Sequence, residues 1–332
     1  MKTQSVVALA TWVLACHLLA ASAIAAPASP DDRGPVPNTP FHRYTTVDSL
    51  GRTITFYLSE AQERAPAPLA VFVQGTGCAS HFYREGGQIH QRSVALLYLA
   101  MRGRARVLAV EKPGVEFLDE QPDAADAKTC RPQFLAEHTL DRWTEAIVAS
   151  IRAAQELPGV DRSRTLVVGG SEGGTVAVHV STVFGPVTHA ASIAGGGPNP
   201  LFMLADYMRR KNLDPEATVY GCWADVLRDP DSTTKFCWGQ PYRLWSGLMK
   251  TSLLQESLKS QAALYLIHGT ADEQSPVAGF DMMRAELAAR GRKAVFERIE
   301  GADHSLARKG EASGDGLLAA FGRIADWFLS PM

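Results

Sequence analysis

The chain has no excess of charge of either sign: 33 Lys and Arg against 35 Asp and Glu leave a formal net charge of −2 over 332 residues. That balance removes the electrostatic basis for holding nucleic acid or an anionic membrane, so neither is expected as a partner. No segment repeats at a solenoid period, which excludes stacked-repeat architectures. Cysteine is scarce, five in all, and no C-x-x-C or Cys/His cluster offers zinc a ligand set; neither a metal nor an organic cofactor is expected. Charged residues make up only 20% and hydrophobic residues 46%, which excludes a disordered or fibrous chain. The length suits one α/β domain carrying an insertion.

The first 26 residues stand apart. Lys2 is their only charge, an apolar stretch runs from Val6 to about Ala20, and Ala23-Ile24-Ala25 supplies small residues. This order is that of a secretory signal cleaved after Ala25 or Ala26, so the chain is expected to be exported, periplasmic or secreted. An uncleaved anchor is the alternative, because the apolar run is nearly long enough to span a bilayer. A lipobox at Val13-Leu14-Ala15-Cys16 is a second alternative, opposed by the apolar run continuing past Cys16. After cleavage no stable membrane insertion is expected, and residues 27–40, polar and Pro-rich, read as a flexible start. Removing Cys16 leaves Cys78, Cys130, Cys222 and Cys237, an even number that fits two disulfides in an oxidising compartment. Four cysteines allow three connectivities; Cys222 and Cys237 are paired here for their nearness, and Cys78 with Cys130 by default.

Short apolar runs alternate with helical spacing. Arg43–Val47 and Arg52–Leu58 read as a hairpin, and 68–73 (PLAVFV), 106–110, 165–168, 189–194, 264–268 and 294–299 read as strands. Helices are expected at 88–102, 138–157, 175–184, 276–290 and 316–329. This rhythm predicts an α/β fold with a mostly parallel central sheet flanked by helices. From about 200 to 260 the rhythm breaks into an aromatic-rich stretch, read as an inserted cap.

Gly169-Gly170-Ser171-Glu172-Gly173 fits G-x-S-x-G, directly after an apolar strand and before a helix-compatible segment. The spacing has a mechanical reason: a serine at the apex of a sharp strand-to-helix turn needs small neighbours two residues away on each side. A serine hydroxyl needs a base, and the base needs a carboxylate to fix its tautomer. Asp272, after strand 264–268, and His304, after strand 294–299, supply both at strand ends. Asp303 is the rival carboxylate but adjoins the histidine in sequence. His268 ends a strand and is read as packed or hydrogen-bonded rather than catalytic; Glu111 ends a strand too, but the Lys112-Pro113-Gly114 that follows reads as a structural turn.

The Ser171-Glu172-Gly173-Gly174 elbow, the Gly269-Thr270-Ala271-Asp272 segment and the order Ser, Asp, His resemble the α/β-hydrolase superfamily from about Phe41 onward, the cap excepted. Within it they look like dienelactone-hydrolase-like and prolyl-oligopeptidase-like members. The resemblance implies a serine hydrolase acting on a small-molecule or peptide acyl substrate. The chain has no room for the propeller domain of many of the latter group, which puts a carboxylic ester ahead of a peptide. The oxyanion donors are expected to be the N–H of Glu172 and that of Thr76, with Gly75 next. His81, after the first glycine loop, and Trp223 and Trp238, in the cap, are candidate substrate contacts. The run Arg209-Arg210-Lys211 could pair with a carboxylate, but a charge run is usually a solvated face. A binding protein that kept the fold, and a lyase sharing it, are the rival classes.

Overall fold

A computed structural model describes residues 30–60, 66–121, 126–312 and 314–331. The expected signal segment, with Cys16 and the cleavage positions Ala25 and Ala26, lies outside the described residues. In chain order the strands are β1 (Asp31–Pro35), β2 (Phe41–Val47), β3 (Thr53–Ser59), β4 (Ala67–Val73), β5 (Phe82–Glu85), β6 (Gln88–Gln91) and β7 (Arg106–Val110). They continue as β8 (Val160–Gly170), β9 (His189–Ile193), β10 (Phe236–Cys237), β11 (Gln240–Pro241), β12 (Ala263–Gly269) and β13 (Val295–Ile299). Among the described residues one large sheet runs in the order β1-β2-β3-β7-β4-β8-β9-β12-β13, parallel from β7 to β13 and antiparallel before it.

The helices are α1 (Val94–Met101), α2 (Pro132–Glu137), α3 (Leu140–Gln155), α4 (Glu172–Val183) and α5 (Pro200–Arg210). They continue as α6 (Cys222–Arg228), α7 (Tyr242–Leu248), α8 (Leu253–Lys259), α9 (Val277–Ala289) and α10 (Asp315–Leu329). Both sheet faces are covered, which is why the central strands read as unbroken apolar runs. In β4, Val71 and Val73 join the core under α3, α4, α8 and α9, while Ala70 and Phe72 face α1 and α10. The three- and four-residue spacing of Trp143, Ile147, Ile151 and Ala154 becomes the buried stripe of α3, which Thr139 caps by accepting from the Arg142 N–H. After β4 the chain adds β7 on one side and β8 on the other, so the order reverses there and opens a crevice at the strands' carboxyl ends.

Two expectations are corrected. Residues 27–40 are not a flexible start throughout: β1 pairs antiparallel with β2, Asp31 opposite Thr45 and Asp32 opposite Tyr44. Its exposed, charged residues suit a sheet edge that must not recruit another strand. The helix expected over 88–102 begins only at Val94, because Gln88–Gln91 pairs with Phe82–Glu85 around Gly86-Gly87. Those glycines take φ of 56° and 79°, the two positive values that match a hairpin's twist.

The 200–260 insertion holds α5 to α8 and the β10–β11 hairpin. Cys222 is bonded to Cys237 within it, and Cys78 to Cys130 beside the first glycine loop.

Candidate active site

Ser171 sits between the end of β8 and the start of α4 with φ 55° and ψ −125°, a conformation an L-residue holds only when its surroundings force it. The force comes from packing. A Cβ on Gly173 would strike the Val73 and Gln74 carbonyls, and one on Gly169 would strike the Gly173 and Val73 carbonyls. The serine N–H is held by Ile193 O at 2.8 Å. The side chain is left at the mouth of the crevice, where Ser171 and His304 line the same cavity. Among the described residues the Ser171 hydroxyl makes no hydrogen bond; such contacts are often long in ligand-free sites and tighten on binding.

Asp272 is 2% exposed and fully engaged. Its Oδ1 accepts the N–H groups of Gln274 and Ser275, each at 2.8 Å, and its Oδ2 accepts His304 Nδ1–H at 2.7 Å. That bond fixes the proton on Nδ1 and leaves Nε2 as the ring's acceptor. His268 packs behind the carboxylate: its ring stacks on Phe280 and its Nε2–H donates to Ser275 O at 2.7 Å. Burial holds its pKa below the usual histidine range. Asp303 does not compete for His304, since its Oδ1 accepts from Ser305 N, Ser305 Oγ and Ala307 N in its own turn.

Thr76 and Glu172 line the cavity beside Ser171. Among the described residues neither the Thr76 N–H nor the Glu172 N–H reaches a backbone acceptor. Behind them lies a buried charge cluster that the sequence reading missed, having taken Lys112 for part of a turn. Lys112, 1% exposed, donates from Nζ to Gly75 O at 2.6 Å, lies 3.8 Å from Glu172 Oε2 and sits 4.4 Å above the Trp143 ring. His138 Nε2–H donates to Glu172 Oε1 at 3.1 Å. Burial works against the Glu172 charge, but the Lys112 cation and the hydrogen bonds of His138 and Thr76 outweigh it and hold the carboxyl down at about 2. Burial lowers the Lys112 pKa, with Glu172 pulling the other way.

The cavity, about 200 Å³, is walled by Met203 and Leu204 of α5, Trp245 and Leu248 of α7, and Met249. Trp223 and Trp238 do not reach it. They pack with Val226, Cys237 and Tyr242 into the insertion's own small core, Trp238 edge-on to Trp245 at 5.5 Å and donating from Nε1 to Thr218 O. His81 is also displaced from its expected place. It is buried between the Tyr57 and Phe72 rings with Nε2–H donating to Val110 O at 2.9 Å, and burial pushes its pKa down to about 4. The basic run is solvated, with Arg210 paired to Asp206 and Lys211 to Glu273 at 2.8 Å.

Glu111 lies in the core away from this cavity, accepting from Tyr57 O–H at 2.8 Å and Ser80 O–H at 2.5 Å. Burial pushes its carboxyl up to about 8 from an ordinary 4.5. The folded state therefore holds a proton that the unfolded chain releases. The stability this contributes is complete below about 4.5 and is lost as pH rises through about 8. Glu111→Gln is expected to remove that loss. In melting curves from pH 4.5 to 9 the parent should lose Tm steadily on the alkaline side and the variant much less; parallel curves would refute the assignment.

No curated protein matches the chain. Among solved structures, the acylaminoacyl peptidase of Pyrococcus horikoshii is similar with a TM-score of 0.57 and 16% identity, over 87% of this chain and 41% of that one. Dipeptidyl peptidase 4 of Porphyromonas gingivalis gives 0.57 and 16%, over 89% and 36%. The chain thus spans less than half the length of these two peptidases. Est1E of Butyrivibrio proteoclasticus gives 0.53 and 14%, over 86% of this chain and 97% of that one. At these identities the likeness is one of fold. A family model described as the alpha/beta hydrolase family matches residues 70–312, which take in the parallel part of the sheet, the elbow and the Asp272–His304 pair, and the chain belongs to that family.

Proposed function

We propose that the protein is an exported serine hydrolase that cleaves a carboxylic ester bond through an acyl-enzyme. The observation that carries this reading is the 2.7 Å Asp272–His304 bond beside a strained Ser171 on one cavity. His304 Nε2 takes the Ser171 proton as Oγ attacks the substrate carbonyl carbon. The Thr76 and Glu172 N–H groups hold the oxyanion, and the N-terminal end of α4 adds its positive dipole. His304 then passes the proton to the leaving alcohol. Water, deprotonated by His304, attacks the acyl-serine; the intermediate collapses to the acid as His304 returns the proton to Ser171 Oγ. The Met, Leu and Trp wall selects an apolar group, and a cavity of about 200 Å³ has room for a short acyl chain or a single ring. The two disulfides are compatible with export to an oxidising compartment.

The deciding experiment is labelling with a fluorophosphonate probe, beside Ser171→Ala. The parent should be labelled and the variant not, and p-nitrophenyl esters of short acids should turn over faster than the matching aminoacyl amides. Amides turning over faster would shift the substrate to peptides. Folded parent protein that takes no probe would overturn the hydrolase reading and favour a binding protein.

A further inference from the structure

We infer that Lys112 is a positioning residue for the oxyanion hole: its ammonium grips the Gly75 carbonyl, so that the N–H of the same peptide, that of Thr76, points into the cavity. This rests on the hydrolase reading above. A trans peptide is planar, with C=O and N–H pointing to opposite sides. Fixing the Gly75 oxygen from behind therefore fixes where the Thr76 N–H points. Among the described residues Gly75, Thr76 and Gly77 follow the end of β4 with no backbone hydrogen bond of their own, and the Thr76 side chain, bonded to Glu172, does not hold the Gly75 carbonyl.

The lysine's place is set by the sheet. β4 and β7 are parallel neighbours in the register Phe72 opposite Ala109. Carried three residues beyond that pair, the register brings Lys112 level with Gly75, where the 2.6 Å bond is found. The same ammonium faces the Glu172 carboxylate at 3.8 Å. One buried cation thus ties together the residues that bear both donors, and Glu172 is braced in turn by His138. A charge-assisted bond to a carbonyl, shielded from water, also polarises the peptide and strengthens its N–H as a donor. A plain buried ion pair would need only the Glu172 contact, whereas here the shorter bond goes to the Gly75 carbonyl.

The test compares Glu172→Gln with Lys112→Met/Glu172→Gln, a pair that leaves no unpaired buried carboxylate. Active sites are titrated to completion with the fluorophosphonate, and kcat is expressed per labelled site. The double variant is expected to lose about 10²-fold in kcat relative to Glu172→Gln, the usual cost of an oxyanion donor, with KM changed less than threefold. Affinity for an arylboronic acid, which mimics the tetrahedral state, should fall in step with kcat. Equal kcat in the two variants, or a loss seen in KM alone, overturns the inference. If the Met variant does not fold, Lys112→Gln/Glu172→Gln replaces it, with an amide too short to reach Gly75, and the same outcomes apply. A parent protein that takes no probe overturns the hydrolase reading itself, whereas a labelled parent with unaffected variants overturns only the role of Lys112.

Discussion

Ser171→Ala and His304→Ala are each expected to lower kcat on a short ester by about 10⁶, and the double variant to lose little more than either alone. Nucleophile and base act as one device in the proposed mechanism: with either gone, the other has no proton to move. Asp272→Asn should cost about 10⁴, because an amide at that position no longer holds His304 in the tautomer with a free Nε2. Asp303→Asn should stay within threefold of the parent, since that carboxylate only closes its own turn. Initial rates on p-nitrophenyl butyrate, with circular dichroism to establish folding, check all five variants. Losses that multiply in the Ser171/His304 double variant would break the triad assignment, and so would a larger effect at Asp303 than at Asp272.

Removing the Cys78–Cys130 bond as Cys78→Ser/Cys130→Ser is expected to cost about 4 kcal/mol of stability, from the loop-closure entropy of a long cross-linked segment. The two cysteines are 52 residues apart in sequence. Cys222 and Cys237 are 15 apart, and the same argument gives about 3 kcal/mol for their bond. Urea unfolding followed by tryptophan fluorescence measures both. The two removals should also differ in kind. Cys78 is two residues beyond Thr76, so loosening it should lower kcat together with stability. Loosening the insertion should act on KM, because α5 and α7 wall the cavity but carry none of the proposed reacting groups. A Cys78/Cys130 variant with unchanged midpoint, or one that is destabilised with full kcat, would contradict this.

The sheet was legible because strands buried on both faces must be apolar throughout: PLAVFV, RVLAV and LYLIH could hardly be anything else. The elbow, Asp272 and His304 were legible because strand ends are punctuated by glycine and the candidate site residues follow directly. What escaped depends on register or packing across the sheet. Lys112 looked like a turn residue because only the β4–β7 pairing shows that it faces Gly75. His81 reads as a candidate substrate contact because it follows a glycine loop, but it is folded inward against Tyr57 and Phe72. The Gly86-Gly87 pair is the sequence sign of the β5–β6 hairpin, masked by the helical spacing of the residues beyond it. Composition identified the aromatic insertion, yet it could not say that Trp245 faces the cavity while Trp223 and Trp238 support it from behind.

The proposed reacting groups come from the ends of β4, β8, β12 and β13, and the last of them, His304, follows the final strand. Such a centre cannot be built in stages. A nascent chain holding everything up to α9 would have an elbow and a carboxylate but no base, and so could attack nothing. In the proposed mechanism the base is therefore the last reacting group to be synthesised. The delay is written into strand order, and loss of the last two elements, β13 and α10, should leave an inert protein.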